Sequence, residues 1–256
     1  MNFIMNRRRL PLNSTIGTLC SHRSIRKYTE QPIEEDTMKN ILLAGQAAAS
    51  SNFFQAVTII RVKDIKKREA LGVLANNQSY VASAAEFLVF CADLDRAIQC
   101  CEHHKTEAKT GFVEQFIIAT VDVALVAQNV SVAAESIGLG ICYIGALRNE
   151  PEKVSDLLEL PKNTFPVFGL CIGWPAEDPH VKPRMPLELF VHENKHPGKI
   201  DKKALTRYDW TMSLYYSKRT TNKKVSSWSE QMSNLLSKEA RPHMRAFLQK
   251  KGFIKK

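Results

Sequence analysis

The sequence predicts a mixed α/β fold in one domain. Helical patterns alternate with short β-branched runs, one stretch from Phe112 to Ile137 is apolar over many turns, and no internal repeat is present. A chain of 256 residues with 44% hydrophobic and 24% charged residues can bury a core of that size.

Met1 to Leu19 reads as a flexible leader (residues 1–18), punctuated by Pro11, Asn13 and Gly17. Arg7-Arg8-Arg9 is not followed by the apolar run of a secretory signal. Pro32-Ile33-Glu34-Glu35-Asp36 opens a helix with acids in its first turn. Met38, Ile41, Leu42 and Ala44 to Ala49 continue it as far as Ser50-Ser51-Asn52. Val57 to Val62 is a strand, Ile65 to Ala75 a helix ending at Asn76-Asn77, Val81 to Ala85 a helical turn, and Phe87 to Ala92 a strand. Arg96 to Thr110 is polar and reads as an irregular surface excursion.

The apolar stretch after it is long enough to span a bilayer. Glu114, Asp122 and Glu135 interrupt it, and Asp122 would cost about 2.5–3.5 kcal/mol near the bilayer centre. A core or subunit-interface helix is predicted instead, closed by Gly138 as C-cap. Strands at Ile141–Gly145 and Phe165–Gly173 flank a helix at Pro151–Leu158. A proline-rich loop follows Trp174-Pro175, and Ser229 to Gln249 is an amphipathic helix.

Residues Lys195 to Lys256 carry sixteen Lys/Arg against four Asp/Glu, a charge of +12, whereas the rest of the chain is −2. The basicity of this C-terminal extension points to an anionic partner. Six cysteines without C-x-x-C spacing, most in apolar runs, read as reduced thiols. Cys100-Cys101-Glu102-His103-His104 holds metal-binding residue types, but adjacent ligands converge poorly, and no metal is expected.

Several chemistries have no sequence support. Gly138-Leu139-Gly140 lacks the third glycine of a dinucleotide fingerprint, with Tyr143 at that position, and it runs helix to strand rather than strand to helix. There is no Walker A loop, no G-x-S-x-G and no H-E-x-x-H. What remains are dispersed polar elements: His22, Ser24 and Arg26; Ser50 to Gln55; Gln78; Tyr143 to Ala146; and Lys182-Pro183-Arg184.

Taken together, these elements resemble the nitroreductase family, and within it the oxygen-insensitive NADPH nitroreductase and flavin reductase branch. The resemblance is carried by His22-Arg23-Ser24-Ile25-Arg26, Pro32-Ile33, Ala49-Ser50-Ser51-Asn52, Gly138-Leu139-Gly140, Tyr143-Ile144-Gly145 and Phe168 to Pro175. Lys182 to Pro186, Val191 to Asn194, Tyr215-Tyr216, Trp228-Ser229 and Lys238 to Pro242 extend it, so that it covers Leu19 to the end.

The resemblance implies an α+β fold, a mixed sheet flanked by helices with a long central helix. It implies one FMN-binding domain over residues 19–256 and an intertwined homodimer with flavin sites between subunits. By position, His22, Ser24, Lys182 and Arg184 match phosphate ligands, with Arg23 in the same block. Arg26 matches a cation beside the flavin pyrimidine or the incoming nicotinamide nucleotide. Ser50, Ser51 and Asn52 match a block that reaches the ring from the partner subunit. Gln78 matches a ligand of the pyrimidine edge, and Tyr143, Ile144 and Gly145 lie beside the isoalloxazine. In the tail, Arg219 and Lys224, with Lys223 nearby, match the clamp on the NADPH 2′-phosphate.

Three residues depart from the family pattern: Lys224 replaces a usual Arg and loses its bidentate fork, Asn52 replaces Ser, and Ala146 replaces Gly. The implied activity is cytoplasmic reduction of nitroaromatics, quinones or flavins by NADPH through bound FMN, in ping-pong fashion. The flavin supplies the chemistry, which agrees with the lack of a side-chain acid–base pair in the sequence. Two alternatives stand beside it. One is a dedicated flavin reductase serving a partner system. The other is a non-catalytic protein whose basic tail binds nucleic acid, although that tail lacks a regular aromatic-interleaved pattern.

Overall fold

The computed structural model describes residues 13–219 and 224–256. They fall into two compact units, one formed by residues up to Pro179 with His243–Lys256, the other by His180–Pro242.

The first unit is built on a four-stranded sheet of order β1-β2-β4-β3, with β1 Val57–Arg61, β2 Glu86–Asp93, β3 Gly140–Ile144 and β4 Thr164–Gly173. All three pairings are antiparallel. The sheet is thus antiparallel rather than mixed as expected; among the described residues the one parallel pairing is an isolated bridge outside the strands, Ser24 to Ile141. β2 is buried along its whole length, as a central strand covered on both faces must be.

One face is covered by α2 (Glu35–Gln46) and the long helix α6 (Val113–Ser136), over a core that includes Met38, Leu88, Phe90 and Val123. The other face packs under α3 (Ile65–Leu74), α4 (Tyr80–Ser83) and α7 (Pro151–Leu157), around Leu71, Phe87, Val89 and Leu147. Burial of each large side chain contributes about 1.5–3 kcal/mol. Helices α2 and α6 pack closely because Gly45 has no Cβ: one built there would lie 2.5 Å from a Val130 methyl.

α6 ends as expected on Gly138, at φ 89°, where Leu139 N–H reaches back to Ala134 O at 3.1 Å. Four expectations need correction. α1 (Ser14–Ser21) is helical inside the expected leader, because Asn13 caps it by accepting from Ile16 N–H. α2 stops at Gln46 rather than near Ser50, since the next segment is held by a tertiary grip from α6 described below. Asp95–His103 is a helix (α5), not an irregular excursion; it is polar because none of its residues is buried. The single helix expected at Ser229–Gln249 is two, α10 (Trp228–Leu236) and α11 (Met244–Lys250), interrupted before Pro242.

The second unit holds α8 (Leu187–Phe190), α9 (Lys202–Ser217) and α10. Asp201 caps α9 at Lys203 and Ala204, and Ser227 with Glu230 forms a capping box on α10. Its small core is Tyr208, Met212 and Tyr216 against Met185 and Trp228.

Candidate functional site

The basic stretch after α1 is an extended strap along the free edge of β3. Ile25 N–H donates to Ile141 O at 2.9 Å, and Tyr28 bridges to Pro175. Two glycines admit it. A Cβ on Gly140 would lie 2.6 Å from Ile25 Cγ1, and one on Gly173 would lie 2.8 Å from the Tyr28 ring. Ile25 is therefore buried, and the alternation of an extended chain turns Ser24 and Arg26 the other way.

Three acids that sequence reading did not single out organise this strap. His22 Nδ1 meets Glu135 Oε1 at 2.6 Å; the carboxylate only accepts, so Nδ1 carries the proton. Arg23 donates to Asp178 at 2.9 Å through Nε and to Ser21 O at 3.2 Å. Glu177 accepts from the backbone N–H groups of Arg26 at 2.6 Å and Lys27 at 3.2 Å. The only sequence signals for them are an acid ending an apolar helix and an acid pair directly after Trp174-Pro175-Ala176.

The Arg26 guanidinium lies near the Tyr80 hydroxyl and Cys142. Burial works against its charge, but Cys142, Tyr80 and Glu177 outweigh it and hold its pKa above the usual value. Tyr80 opens α4, two residues after Gln78, so the Gln78 loop and the strap converge at the β3 edge. Gln78 and Ser24 are half-buried, and their side chains make no hydrogen bond to a described residue.

The end of β3 offers backbone rather than side chains. Tyr143 turns its hydroxyl to Ser131 on α6 at 2.9 Å, and Ile144 is buried in the core. Gly145 leaves the chain unshielded there, with Arg148 as its nearest neighbour.

Ser50, Ser51 and Asn52 lie elsewhere. Ser51 N–H and Ala56 N–H both donate to the Asp122 carboxylate, each at 3.1 Å, and Gln55 N–H donates to Ser50 Oγ at 3.0 Å. Asp122 and Glu135 are both on α6. At 1.5 Å per residue, the anchor of this loop and the anchor of the strap are about 20 Å apart along one helix.

In the second unit, cations gather on two tyrosines. Lys224 Nζ lies 4.5 Å and Lys182 Nζ 5.4 Å from the centre of the Tyr216 ring, and Arg219 lies 6.0 Å from that of Tyr215. Lys224 also donates to Gln231 at 2.7 Å. Burial opposes ionisation of the Tyr216 phenol, but Lys182, Gln231 and Lys224 hold its pKa below the usual value. Arg184 is near Tyr208. Lys223 lies outside the described residues.

These arrangements can hold anions and planar polar groups; among the described residues no group of three or more metal-ligating side chains forms.

Residues 19–174 match the model of the nitroreductase family, and residues 182–256 that of the nitroreductase family, C-terminal domain. The chain is 45% identical over 242 residues to an oxygen-insensitive NADPH nitroreductase of Salmonella typhimurium, covering 94% of this chain and 99% of that one. It is also 45% identical over 248 residues to an NADPH-flavin oxidoreductase of Vibrio harveyi, covering 96% and 100%. The solved NADPH:FMN oxidoreductase of Vibrio harveyi complexed with NAD+ superimposes with a TM-score of 0.88 at 43% identity, over 95% of this chain and all of that one.

Proposed function

The chain belongs to the nitroreductase family, and from that premise we propose that it is an FMN-dependent NADPH oxidoreductase acting as a cytoplasmic homodimer on nitro compounds, quinones or flavins. The observation that carries the reading is that Arg26 on the strap lies by Tyr80 and Cys142, which brings the α4 end of the Gln78 loop to the β3 edge that runs into Ile144 and Gly145.

Those residues suit FMN. A cation and an amide fit the polar edge of a flavin, exposed backbone fits its plane, and His22 and Ser24 fit a phosphate. Bound FMN supplies hydride acceptance from NADPH and donation to the acceptor. The chain's own part is to grip and orient. Glu135 fixes the His22 tautomer, Tyr80 steadies Arg26, and Arg219 and Lys224 with their tyrosines offer charge to a 2′-phosphate. Lys182 and Arg184 are proposed as phosphate ligands on the resemblance alone.

Two observations support the homodimer. The Ser50–Asn52 loop and the strap are held about 20 Å apart along α6, which suits ring contacts contributed by a partner. Val113, Ile117, Val121 and Leu125, at four-residue spacing on α6, are 42–49% exposed and form an apolar stripe fit for a second copy.

Steady-state kinetics test the reading. Double-reciprocal plots for NADPH against acceptor should be parallel, as two half-reactions at one site require; intersecting lines contradict it. Turnover of free FMN far above that of nitro and quinone acceptors would favour a dedicated flavin reductase.

A further inference from the structure

Asp122 is wholly buried at the middle of the most apolar helix. No ion pair to it is found among the described residues. A carboxylate so placed is costly unless its oxygens are satisfied, and here each oxygen takes one backbone amide, from Ser51 and from Ala56.

The chain between those two amides is unusual. Asn52, Phe53 and Gln55 adopt φ of 48°, 57° and 53°, the left-handed region that ordinary side chains avoid. None of residues 51–55 is buried, and Phe53 is 80% exposed. The loop adds nothing to the core, yet a buried charge and three strained residues maintain it. Strain kept in a loop with no packing role is a mark of a functional conformation.

We propose that Asp122 is a positioning residue for the flavin: it clamps Ser51 and Ala56 so that Ser50, Ser51 and Asn52 are presented in the one conformation that meets the ring. The assignment rests on the flavin reading above. Among the described residues the hydrogen bonds of Asp122 go to the loop backbone, and it acts through them.

The test compares holoprotein and FMN-reconstituted apoprotein of wild type, Asp122→Asn and Val123→Ala. The asparagine is nearly isosteric, but its NH2 group faces a backbone N–H, so one of the two clamps is lost. Val123 is equally buried on the same helix and serves as the packing control. For Asp122→Asn, the FMN dissociation constant should rise about tenfold or more, and the visible circular dichroism and midpoint potential of the flavin should both move. Val123→Ala should lower Tm alone. Should Asp122→Asn not fold, Asp122→Glu keeps the charge, moves it by one methylene, and should change the same three readouts. An Asp122 variant with FMN affinity, dichroism and potential unchanged, in a protein whose wild type binds FMN, overturns this assignment alone. A wild type that takes up no FMN overturns the flavin reading and this assignment with it.

Discussion

His22 Nδ1 donates to Glu135 Oε1 across 2.6 Å, tying the start of the basic strap to the last turn of α6. A carboxylate beside an expected phosphate ligand is repulsive at long range but orients the imidazole at short range, and leaves Nε2 as the nitrogen available to an anion. Orientation should win. Glu135→Gln is expected to raise the FMN dissociation constant about three- to tenfold, measured by flavin fluorescence on reconstitution. Tighter binding would show that repulsion dominates.

Gly140→Ala should weaken FMN without touching it. Its Cβ would enter within 2.6 Å of Ile25 Cγ1 and 2.7 Å of Ile25 Cβ, so the strap must lift from β3. Overpacking of this kind costs about 1–3 kcal/mol. A fall in both Tm and flavin content is expected; unchanged flavin content would mean that the strap tolerates the shift.

Arg219→Ala should raise KM for NADPH at least several-fold while leaving NADH use nearly unchanged. Only the phosphorylated nucleotide needs the cation held near Tyr215. Equal effects on both nucleotides would remove Arg219 from the 2′-phosphate clamp.

The buried acids set alkaline stability. Burial pushes the Cys91 thiol up to about 12, and also raises Cys171, Tyr28 and Tyr143. The folded protein holds these protons more tightly than the unfolded chain, so their contribution is complete below about pH 9, the ordinary thiol range, and declines as pH rises toward 12. Tm should be flat up to about pH 9 and then fall. In native protein, exposed Cys20 and Cys100 should react with DTNB before Cys91, Cys142 and Cys171, which are buried. Fast reaction of a buried thiol would contradict this packing.

Much of the fold was legible because its periodicities are strong. The α6 stretch, its Gly138 cap and the four strands follow from apolar pattern and punctuation alone. α9 escaped notice although Ala204, Tyr208, Met212 and Tyr216 lie four apart and are buried, because polar residues between them mask the stripe. α5 was missed for a related reason: its apolar face is small, with Ile98 packed on the core but only partly buried.

The candidate site was legible only as residue types. That Arg26 shares Tyr80 with Cys142, or that Asp122 serves the Ser50 loop rather than merely interrupting an apolar run, depends on contacts between residues dozens of positions apart. No local pattern encodes such contacts. The acids Glu177 and Asp178 stayed invisible for that reason, and Glu135 stood out only as a charge interrupting an apolar run.

The most direct measurement is an anaerobic titration of the purified protein with NADPH, followed by visible absorbance. A yellow protein with about one FMN per chain is expected, bleached by one equivalent of NADPH and restored by adding a nitro or quinone acceptor. A colourless protein that does not take up FMN, or bound flavin that NADPH fails to bleach, would contradict it.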